Sequence, residues 1–256
     1  MNRKIIALLD EKVQLYNNIS FIATDPVCIP HRFSKKQDIE IAAFFAAIFA
    51  WGNRTTIINK TTELLRLMNN APYDFVMHAG ANELNQLEGF RHRTFNTTDL
   101  LYCMEFFQMH YTQNDSLETA FSNWIQKDDT DVENALTGFH HYFFSLPHIP
   151  ERTRKHIATP EKNSSCKRLN MFLRWMVRHD TNGVDFGIWK KIKPSQLICP
   201  LDVHVARVAR NIGLLQRTQN DWQAAKELTA NLRTLDANDP VKYDFALFGL
   251  GVMEKY

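Results

Sequence analysis

The chain has 256 residues and a mass of 29.8 kDa, which is enough to bury a full hydrophobic core as one large domain or as two lobes. Hydrophobic residues make up 45% of it and charged residues 23%, a balance that excludes a largely disordered chain. The net charge of +2 is too small to indicate a nucleic-acid partner by itself.

The N-terminal stretch MNRKIIALLDEKV predicts an amphipathic helix at 2–16, because Asp10 and Glu11 interrupt the apolar run that a signal peptide needs. The longest apolar stretch, Ile41 to Trp51, is shorter than the roughly 20 residues that span a bilayer. We therefore expect a cytoplasmic protein with no membrane partner. The four cysteines are far apart and form no C-x-x-C pair, which argues against a zinc knuckle or an iron–sulfur cluster; they are Cys28, Cys103, Cys166 and Cys199. We expect reduced thiols, and the favoured function needs no metal and no cofactor.

Apolar residues at three- and four-residue spacing predict helices along almost the whole chain, and no clear alternating strand is visible. Beyond 2–16, the predicted helices are 36–50, 54–69, 73–79, 98–111, 115–126, 131–143, 166–179, 203–213, 221–235 and 240–252. Helix-start signals precede five of them: Asp99, Asp115, Asp131, Asp221 and the Asp239-Pro240 pair. The predicted fold class is all-α.

The stretch AIFAWGNRTTIINKTTELL changes character halfway, where Gly-Asn-Arg-Thr-Thr at 52–56 separates two helical patterns. One interpretation is an ordinary joint between helices, with Gly52 after the first helix and Thr55 or Thr56 capping the second. The other is a polar corner that faces a ligand. The sequence leaves both open.

Residues 151–193 carry an uneven share of the charge. Eleven Lys or Arg stand against four Asp or Glu, a local net charge of +7. A phosphate-binding face needs such an excess, because neutralising phosphates supplies most of the non-specific affinity for nucleic acid. A solvated basic surface is the equally weighted alternative.

The segment SSCKRLNMFLRWMVRHD at 164–180 predicts a helix with one apolar stripe, and Arg168, Arg174 and Arg178 lie off that stripe as a basic flank. Lys167 falls in its first turn, where the positive end of the helix dipole disfavours a cation. A neutral amine is the form that nucleophilic attack requires. The alternative is a surface lysine whose stem covers apolar neighbours.

Thirty-five residues later, CPLDVHVARVARNIGLL places Asp202 directly before an amphipathic helix. Capping that helix is a sufficient structural reason for an aspartate. A cap carboxylate can also face a cleft, and a lysine with a carboxylate nearby can perform Schiff-base chemistry at a sugar carbon.

This second segment resembles the helix-hairpin-helix-GPD DNA glycosylases, in which an essential aspartate caps a helix in the pattern V-D-[TS]-H-[VI]-x-R-[VL]. The matching residues are Pro200, Leu201, Asp202, His204, Val205, Arg207 and Val208. CKRLNMFLRWMV resembles the lysine-led helix of the archaeal 8-oxoguanine glycosylase branch. The chain is also similar to a bacterial family defined only as a domain of unknown function, which contains the same run. The resemblance to the glycosylases implies that Lys167 is the Schiff-base nucleophile and Asp202 the catalytic carboxylate.

The resemblance further implies a two-lobe glycosylase-like fold of interleaved helices. A first lobe is expected at about 36–150 and a second from 1–35 plus 151–256. The second lobe holds a nonstandard helix-hairpin-helix, since ATPEKNSSCK replaces the family's L-P-G-[VI]-G. The stretch AIFAWGNRTTIINKTTELL at 47–65 is similar to the family's corner at the minor groove, where a polar side chain fills the gap left by an extruded base. The implied DNA contacts are Asn53, Arg54, Ser164, Ser165, Arg168, His204 and Arg207.

The function that follows is base excision from double-stranded DNA by a monomer associated with the nucleoid, with or without β-lyase nicking, on a damaged base such as 8-oxoguanine. One alternative is a descendant of the fold that binds DNA without catalysis. A second is an all-α metal-dependent phosphohydrolase with ligands among the histidines and an aspartate, namely His140, His141, His179, Asp180 and His204.

Overall fold

Helices form nearly all the regular structure in the computed structural model, which describes residues 3–256. The α-helices are α1 (Arg3–Tyr16), α2 (Ile19–Ile22), α3 (Lys36–Ile48), α4 (Arg54–Leu67), α5 (Pro72–His78), α6 (Ala81–Asn85), α7 (Thr97–Gln113), α8 (Glu118–Ser122), α9 (Glu133–Phe143), α10 (Lys167–Val177), α11 (Val203–Asn211), α12 (Trp222–Arg233) and α13 (Tyr243–Phe248). The all-α class is therefore confirmed. The first position of the predicted 2–16 helix lies outside the described residues.

The predicted absence of strands is wrong at one place. Strands β1 (Arg91–His92) and β2 (Phe95–Asn96) form a small antiparallel hairpin. Arg93 lies in the left-handed region, with a φ of 55°, and this allows the chain to reverse within two residues. So short a hairpin leaves no alternating pattern to detect in the sequence.

Side-chain caps fix several helix starts, and they account for one error. Asp221 Oδ1 accepts a hydrogen bond from the Ala224 amide at 3.0 Å and starts α12 as predicted. Asp99 does not cap α7. Asn96 is the cap, and Asp99, at the third helical position, accepts a bond from the Asn96 amide at 2.9 Å. The two residues form a reciprocal capping box, so the helix starts earlier than predicted.

Two predicted helices differ from the expected form: one is shorter, and the other is divided into turns of different kinds. The pattern at 115–126 forms only α8, because Glu40 binds the Ser116 hydroxyl at 2.5 Å and the Leu117 amide at 3.0 Å and holds these residues outside the helix. The pattern at 240–252 begins with a 3₁₀ turn at Pro240–Lys242, continues as α13 and ends in a π-helical turn at Gly249–Met253.

The chain divides into two compact units. The terminal unit comprises Met1–Ala23, Ile125–Thr137 and Thr159–Tyr256, and the central unit comprises Thr24–Trp124 and Gly138–Ala158. These bounds differ from the predicted lobes, since 24–35 and 151–158 belong to the central unit and 125–137 to the terminal one. Short 3₁₀ turns at 24–35 contact α3 and α4, which explains their assignment.

The core of the central unit is built from phenylalanine. Every residue of α3 from Ile39 to Ile48 is buried. Phe121 of α8 stacks on Phe139 of α9 with ring centroids 3.9 Å apart, and Phe106 of α7 meets Phe143 at 4.5 Å. Aromatic contacts of this kind add to the hydrophobic stabilisation of a core.

The terminal unit packs around α10, α11 and α13. Helix α1 lies against α13, and α13 contacts α11. Trp175 of α10, Trp222 of α12 and Phe245 of α13 are fully buried among them. This packing brings together the start of α10 and the start of α11, which carry the predicted catalytic residues.

Within residues 3–256, none of the helices has the length and apolar character needed to cross a membrane.

Candidate functional site

Lys167 and Asp202 lie next to each other in the terminal unit. Lys167 is the first residue of α10, and Asp202 caps α11. Lys167 Nζ is 3.8 Å from Asp202 Oδ2. The Lys167 side chain is 27% exposed and the Asp202 side chain 19%, so both are partly buried but accessible to solvent. Two residues that are thirty-five positions apart in the chain therefore form one accessible charged pair.

The two oxygens of the Asp202 carboxylate have different partners. Oδ1 accepts hydrogen bonds from the amides of His204 and Val205, both at 2.9 Å. Oδ2 faces Lys167. The hydrogen bonds from these two backbone amides fix the orientation of the carboxylate. Capping and pairing with Lys167 are thus compatible in one side chain.

Behind Lys167, α10 presents two further polar residues on the same face. Asn170 and Arg174 follow at three and seven positions, a spacing that aligns side chains along a helix. Asn170 is buried and donates to the Ser165 carbonyl at 3.0 Å. Its Oδ1 atom is also buried and has no hydrogen-bond partner within the described part of the chain.

Arg174 and Arg178 form a buried ionic network instead of the predicted basic flank. Arg174 Nε is 3.2 Å from Asp185 Oδ1, and Arg174 Nη1 also binds Asp244 Oδ2. Arg178 Nη1 is 3.0 Å from Asp185 Oδ2. Two more carboxylates complete its shell, those of Asp180 and Asp239. A buried guanidinium requires such partners, and neither arginine is available to a phosphate.

Asp244 connects this network to the candidate site. Burial raises the pKa of its carboxyl to about 6, against the opposing charge of Arg174, and the negative charge of Asp202 adds to the rise. Its Oδ1 atom is 4.0 Å from Cys199 Sγ. Burial also raises the pKa of the Cys199 thiol well above its usual range, so this cysteine stays protonated at neutral pH.

The sequence model of a family described as "Protein of unknown function (DUF2400)" matches residues 25–253. The chain belongs to this family. The matched range contains Lys167, Asp202 and Asp244. No curated protein and no solved structure matches the chain.

The predicted hairpin before α10 has only one turn of helix on its first side. A 3₁₀ turn at Pro160–Lys162 is followed by Asn163 and Cys166, both in the left-handed region, with φ values of 53° and 50°. The serines between them bond within the chain. Ser164 Oγ accepts from the Cys166 amide at 3.2 Å, and Ser165 Oγ donates to the Leu201 carbonyl at 3.3 Å. These bonds shape the turn that positions Lys167.

Three other predicted DNA contacts lie in the same unit. Arg168 is half-buried, and burial lowers the pKa of its guanidinium. Arg207 donates to the carbonyls of Gly251 at 2.8 Å and Tyr256 at 3.1 Å, so it holds the last turn of the chain. His204 packs against Gly251, where an added Cβ atom would lie 3.1 Å from the His204 Cβ atom. The buried Nδ1 atom of His204 has no hydrogen-bond partner in the range that the structure covers. Of these, Arg168 and His204 flank the Lys167–Asp202 pair in sequence.

Asn53 and Arg54 belong to the central unit. The predicted corner is a joint in which α3 ends at Ile48 and Asn53 caps α4 by accepting from the Thr56 amide at 3.3 Å. Gly52 has a φ of 109°, and a Cβ atom there would lie 2.6 Å from the Arg93 guanidinium. The cap is therefore Asn53 and not a threonine. The sequence does not indicate Arg93 at this corner, because only the hairpin of β1 and β2 brings it there.

The structure offers no ligand cluster, within the residues it describes, for the alternative of a metal-dependent phosphohydrolase. Among residues 3–256, no group of three or more His, Cys, Asp or Glu side chains is arranged to hold a metal ion. His140 Nδ1 lies 3.0 Å from the Ile157 carbonyl in the central unit, while His179 is exposed in the terminal unit.

An open depression of about 810 Å³ lies elsewhere in the terminal unit, beside α12. Three cations line it. Arg217 pairs with Asp221 at 2.5 Å, Lys226 pairs with Glu133 at 2.6 Å, and Arg233 donates to backbone carbonyls of Ser195 and Thr130. Neither Lys167 nor Asp202 lines it. We therefore assign the candidate site by its chemistry and not by the size of a cavity.

Proposed function

We propose that the protein is a DNA glycosylase that removes a damaged base from double-stranded DNA through Lys167 and Asp202. The observation that carries this proposal is the 3.8 Å approach of Lys167 Nζ to Asp202 Oδ2, with both side chains partly exposed. The resemblance of both segments to helix-hairpin-helix-GPD glycosylases supplies the reaction. As part of the same proposal, the protein acts as a monomer on nucleoid DNA in the cytoplasm.

In the proposed reaction, the neutral amine of Lys167 attacks C1′ of the damaged nucleotide. The N-glycosidic bond breaks, its electron pair leaves with the base, and the base takes up a proton. The Asp202 carboxylate accepts the proton that the amine loses and stabilises positive charge at C1′. Its orientation is fixed beforehand by the amides of His204 and Val205.

A β-lyase step can follow from the same covalent intermediate. The sugar ring first opens: the C1′–O4′ bond breaks, O4′ takes up a proton, and C1′ becomes a Schiff base with Lys167. The Schiff base acidifies the proton on C2′, and loss of that proton expels the 3′-phosphate and nicks the strand. Water then releases the sugar fragment and regenerates the lysine. Base extrusion must precede all of this, because C1′ of a stacked nucleotide is out of reach.

The test uses duplex oligonucleotides that carry 8-oxoguanine, uracil, thymine glycol or an abasic site. Base release and strand nicking are measured for the wild type, Lys167→Ala and the matched control Lys162→Ala, an exposed lysine on the preceding 3₁₀ turn. We expect activity on at least one lesion, with 8-oxoguanine the first candidate, and its loss only in Lys167→Ala.

Absence of base release and nicking on every substrate would contradict catalysis. If binding to the duplex still weakened steeply with salt, the alternative of a DNA-binding descendant would replace the proposal. Release that persists in Lys167→Ala would contradict the lysine mechanism.

A further inference from the structure

Asp244 is a buried carboxyl that packing alone does not require. It is the second residue of α13 and lies in a helix whose other residues are almost all apolar. A side chain of similar volume without charge would be the usual occupant of such a position, because burying a carboxylate is costly unless it is paired. The Asp244 carboxyl at this position therefore needs a compensating positive charge or a proton.

The ionic network around it contains more negative than positive groups. Two guanidinium groups face four carboxylates, and the six residues are Arg174, Arg178, Asp180, Asp185, Asp239 and Asp244. Arg174 serves both Asp185 and Asp244. Arg178 also binds Asp185, at 3.0 Å, so both guanidinium groups are shared. Two guanidinium groups cannot neutralise four carboxylates, so a proton is the natural partner for part of the remaining charge.

The groups that face Asp244 connect it to the candidate site. Arg174 and Lys167 lie on one face of α10, two helical turns apart. Cys199 Sγ, 4.0 Å from Asp244 Oδ1, is three residues before the Asp202 cap. On the other side α1 contributes Asp10, which accepts a bond from Tyr243, the residue before Asp244, at 3.1 Å.

We propose that Asp244 is a positioning residue that controls how readily Lys167 loses its proton, by adding or removing one negative charge behind the Lys167–Asp202 pair. Its role in catalysis rests on the proposed function, since only amine chemistry at Lys167 makes that control useful. A charged Asp244 favours the ammonium form of Lys167. A protonated Asp244 favours the neutral amine, the form that attacks C1′.

The electrostatics of the buried carboxyl agree with this role. Burial raises the pKa of Asp244 to about 6, and Lys167 and Arg174 act in the opposite direction. Asp244 therefore changes charge near pH 6, whereas an ordinary aspartate is already ionised there. Because linkage is reciprocal, a group that feels the charge of Lys167 also acts on Lys167.

The test needs no DNA. The protein is labelled with acetic anhydride over a pH series, and each lysine is quantified by peptide mass spectrometry, so that Lys167 gives its own pH profile. We expect Asp244→Asn to move the midpoint for Lys167 to lower pH and to raise its labelling rate at pH 8 by about threefold. Lys162 and Lys190, exposed lysines in the same digest, should not change.

Asp239→Asn is the matched control. It removes a carboxylate from the far end of the same network, where Asp239 binds Arg178 Nε at 2.9 Å. We expect the Lys167 profile to stay at the wild-type position in this variant. An unchanged profile in folded Asp244→Asn, or an equal displacement in Asp239→Asn, would overturn the proposal.

A second measurement applies if Asp244→Asn does not fold. In wild-type protein carrying ¹³C-methyl groups on its lysines, the NMR signal of Lys167 should show an extra inflection near pH 6 that the Lys162 signal lacks. A Lys167 signal without it would overturn the proposal in the unmutated protein. The value of about 6 is the pKa of the Asp244 carboxyl.

The two proposals fail in distinguishable ways. If the labelling profile of Lys167 moves but no lesion is processed, the glycosylase function is wrong and the coupling stands. If base release depends on Lys167 while its profile ignores Asp244, the coupling is wrong. When both hold, the pH–rate profile of base release moves in Asp244→Asn in the same direction as the labelling profile.

Discussion

Asp202 combines two tasks that are usually assigned to different residues. One carboxylate oxygen caps α11 through two amides, and the other faces Lys167. Substitutions can separate these tasks, because asparagine caps a helix about as well as aspartate does but carries no charge. The contribution to stability and the contribution to chemistry thus become independent measurements.

We predict that the free energy of unfolding of Asp202→Asn stays within about 0.5 kcal/mol of the wild-type value. In Asp202→Ala it should fall by about 1–2 kcal/mol, because alanine cannot cap the helix. Both variants should release base at least roughly a hundredfold more slowly, since both lack the carboxylate. Urea unfolding and single-turnover base release check the two quantities. An Asn variant with wild-type activity would show that Asp202 is only a cap.

At this scale the sequence predicted some residues and could not predict others. A helix start and a family resemblance point to Lys167 and Asp202 in the sequence. The position of Arg174 and Arg178 off the apolar stripe of α10 predicts a basic surface, whereas the structure buries both. Their partner Asp185 is close in sequence, but Asp244 comes from seventy residues further along, and no local pattern announces such a pairing.

Among the helices, the contact between α1 and the π-helical turn that follows α13 depends on a glycine. A Cβ atom on Gly249 would lie 2.1–2.2 Å from the Tyr16 ring, which is too close without movement of one helix. The phenol of Tyr16 donates to Glu254 at 2.7 Å, so the ring is held over the π-helical turn. This contact fixes the end of the chain against its first helix.

We predict that Gly249→Ala destabilises the protein by roughly 1–3 kcal/mol through overpacking. In a Tyr16→Ala background the same substitution should cost much less, because the ring that it meets is gone. A double-mutant cycle measured by urea unfolding gives the coupling. Equal costs in both backgrounds would mean that the ring moves away freely.

Elements with strong caps and long apolar patterns were predicted well, and short elements were not. Helices α4, α11 and α12 start at the predicted residues or one position later. The hairpin of β1 and β2 and the shortened α8 depend on contacts distant in sequence, such as Glu40 with Ser116. The spacing of apolar residues along the chain does not reveal those contacts.

For the molecule as a whole, the buried carboxyl of Asp244 makes stability depend on pH. Its pKa in the folded chain is raised to about 6, above the roughly 3.9 of an unfolded aspartate. The folded state therefore holds a proton that the unfolded state has lost between these values. The stabilisation is complete below about pH 4 and disappears as the pH rises through about 6.

We predict that Asp244→Asn becomes more stable relative to the wild type as the pH rises from 4.5 to 7. The difference in the free energy of unfolding should change by at most about 1.4 kcal/mol per pH unit in this window and level off above it. Urea unfolding of both proteins in matched buffers gives the difference. A difference that is constant from pH 4.5 to 7 would show that Asp244 stays ionised.

The most direct test of the central claim is to trap the covalent intermediate. The protein is incubated with duplexes that contain 8-oxoguanine or an abasic site, borohydride is added, and the cross-linked peptide is identified by mass spectrometry. The proposed mechanism predicts a DNA adduct on Lys167 that is absent in Lys167→Ala and present in Lys162→Ala. No adduct on either duplex, or an adduct on a different lysine, would contradict it.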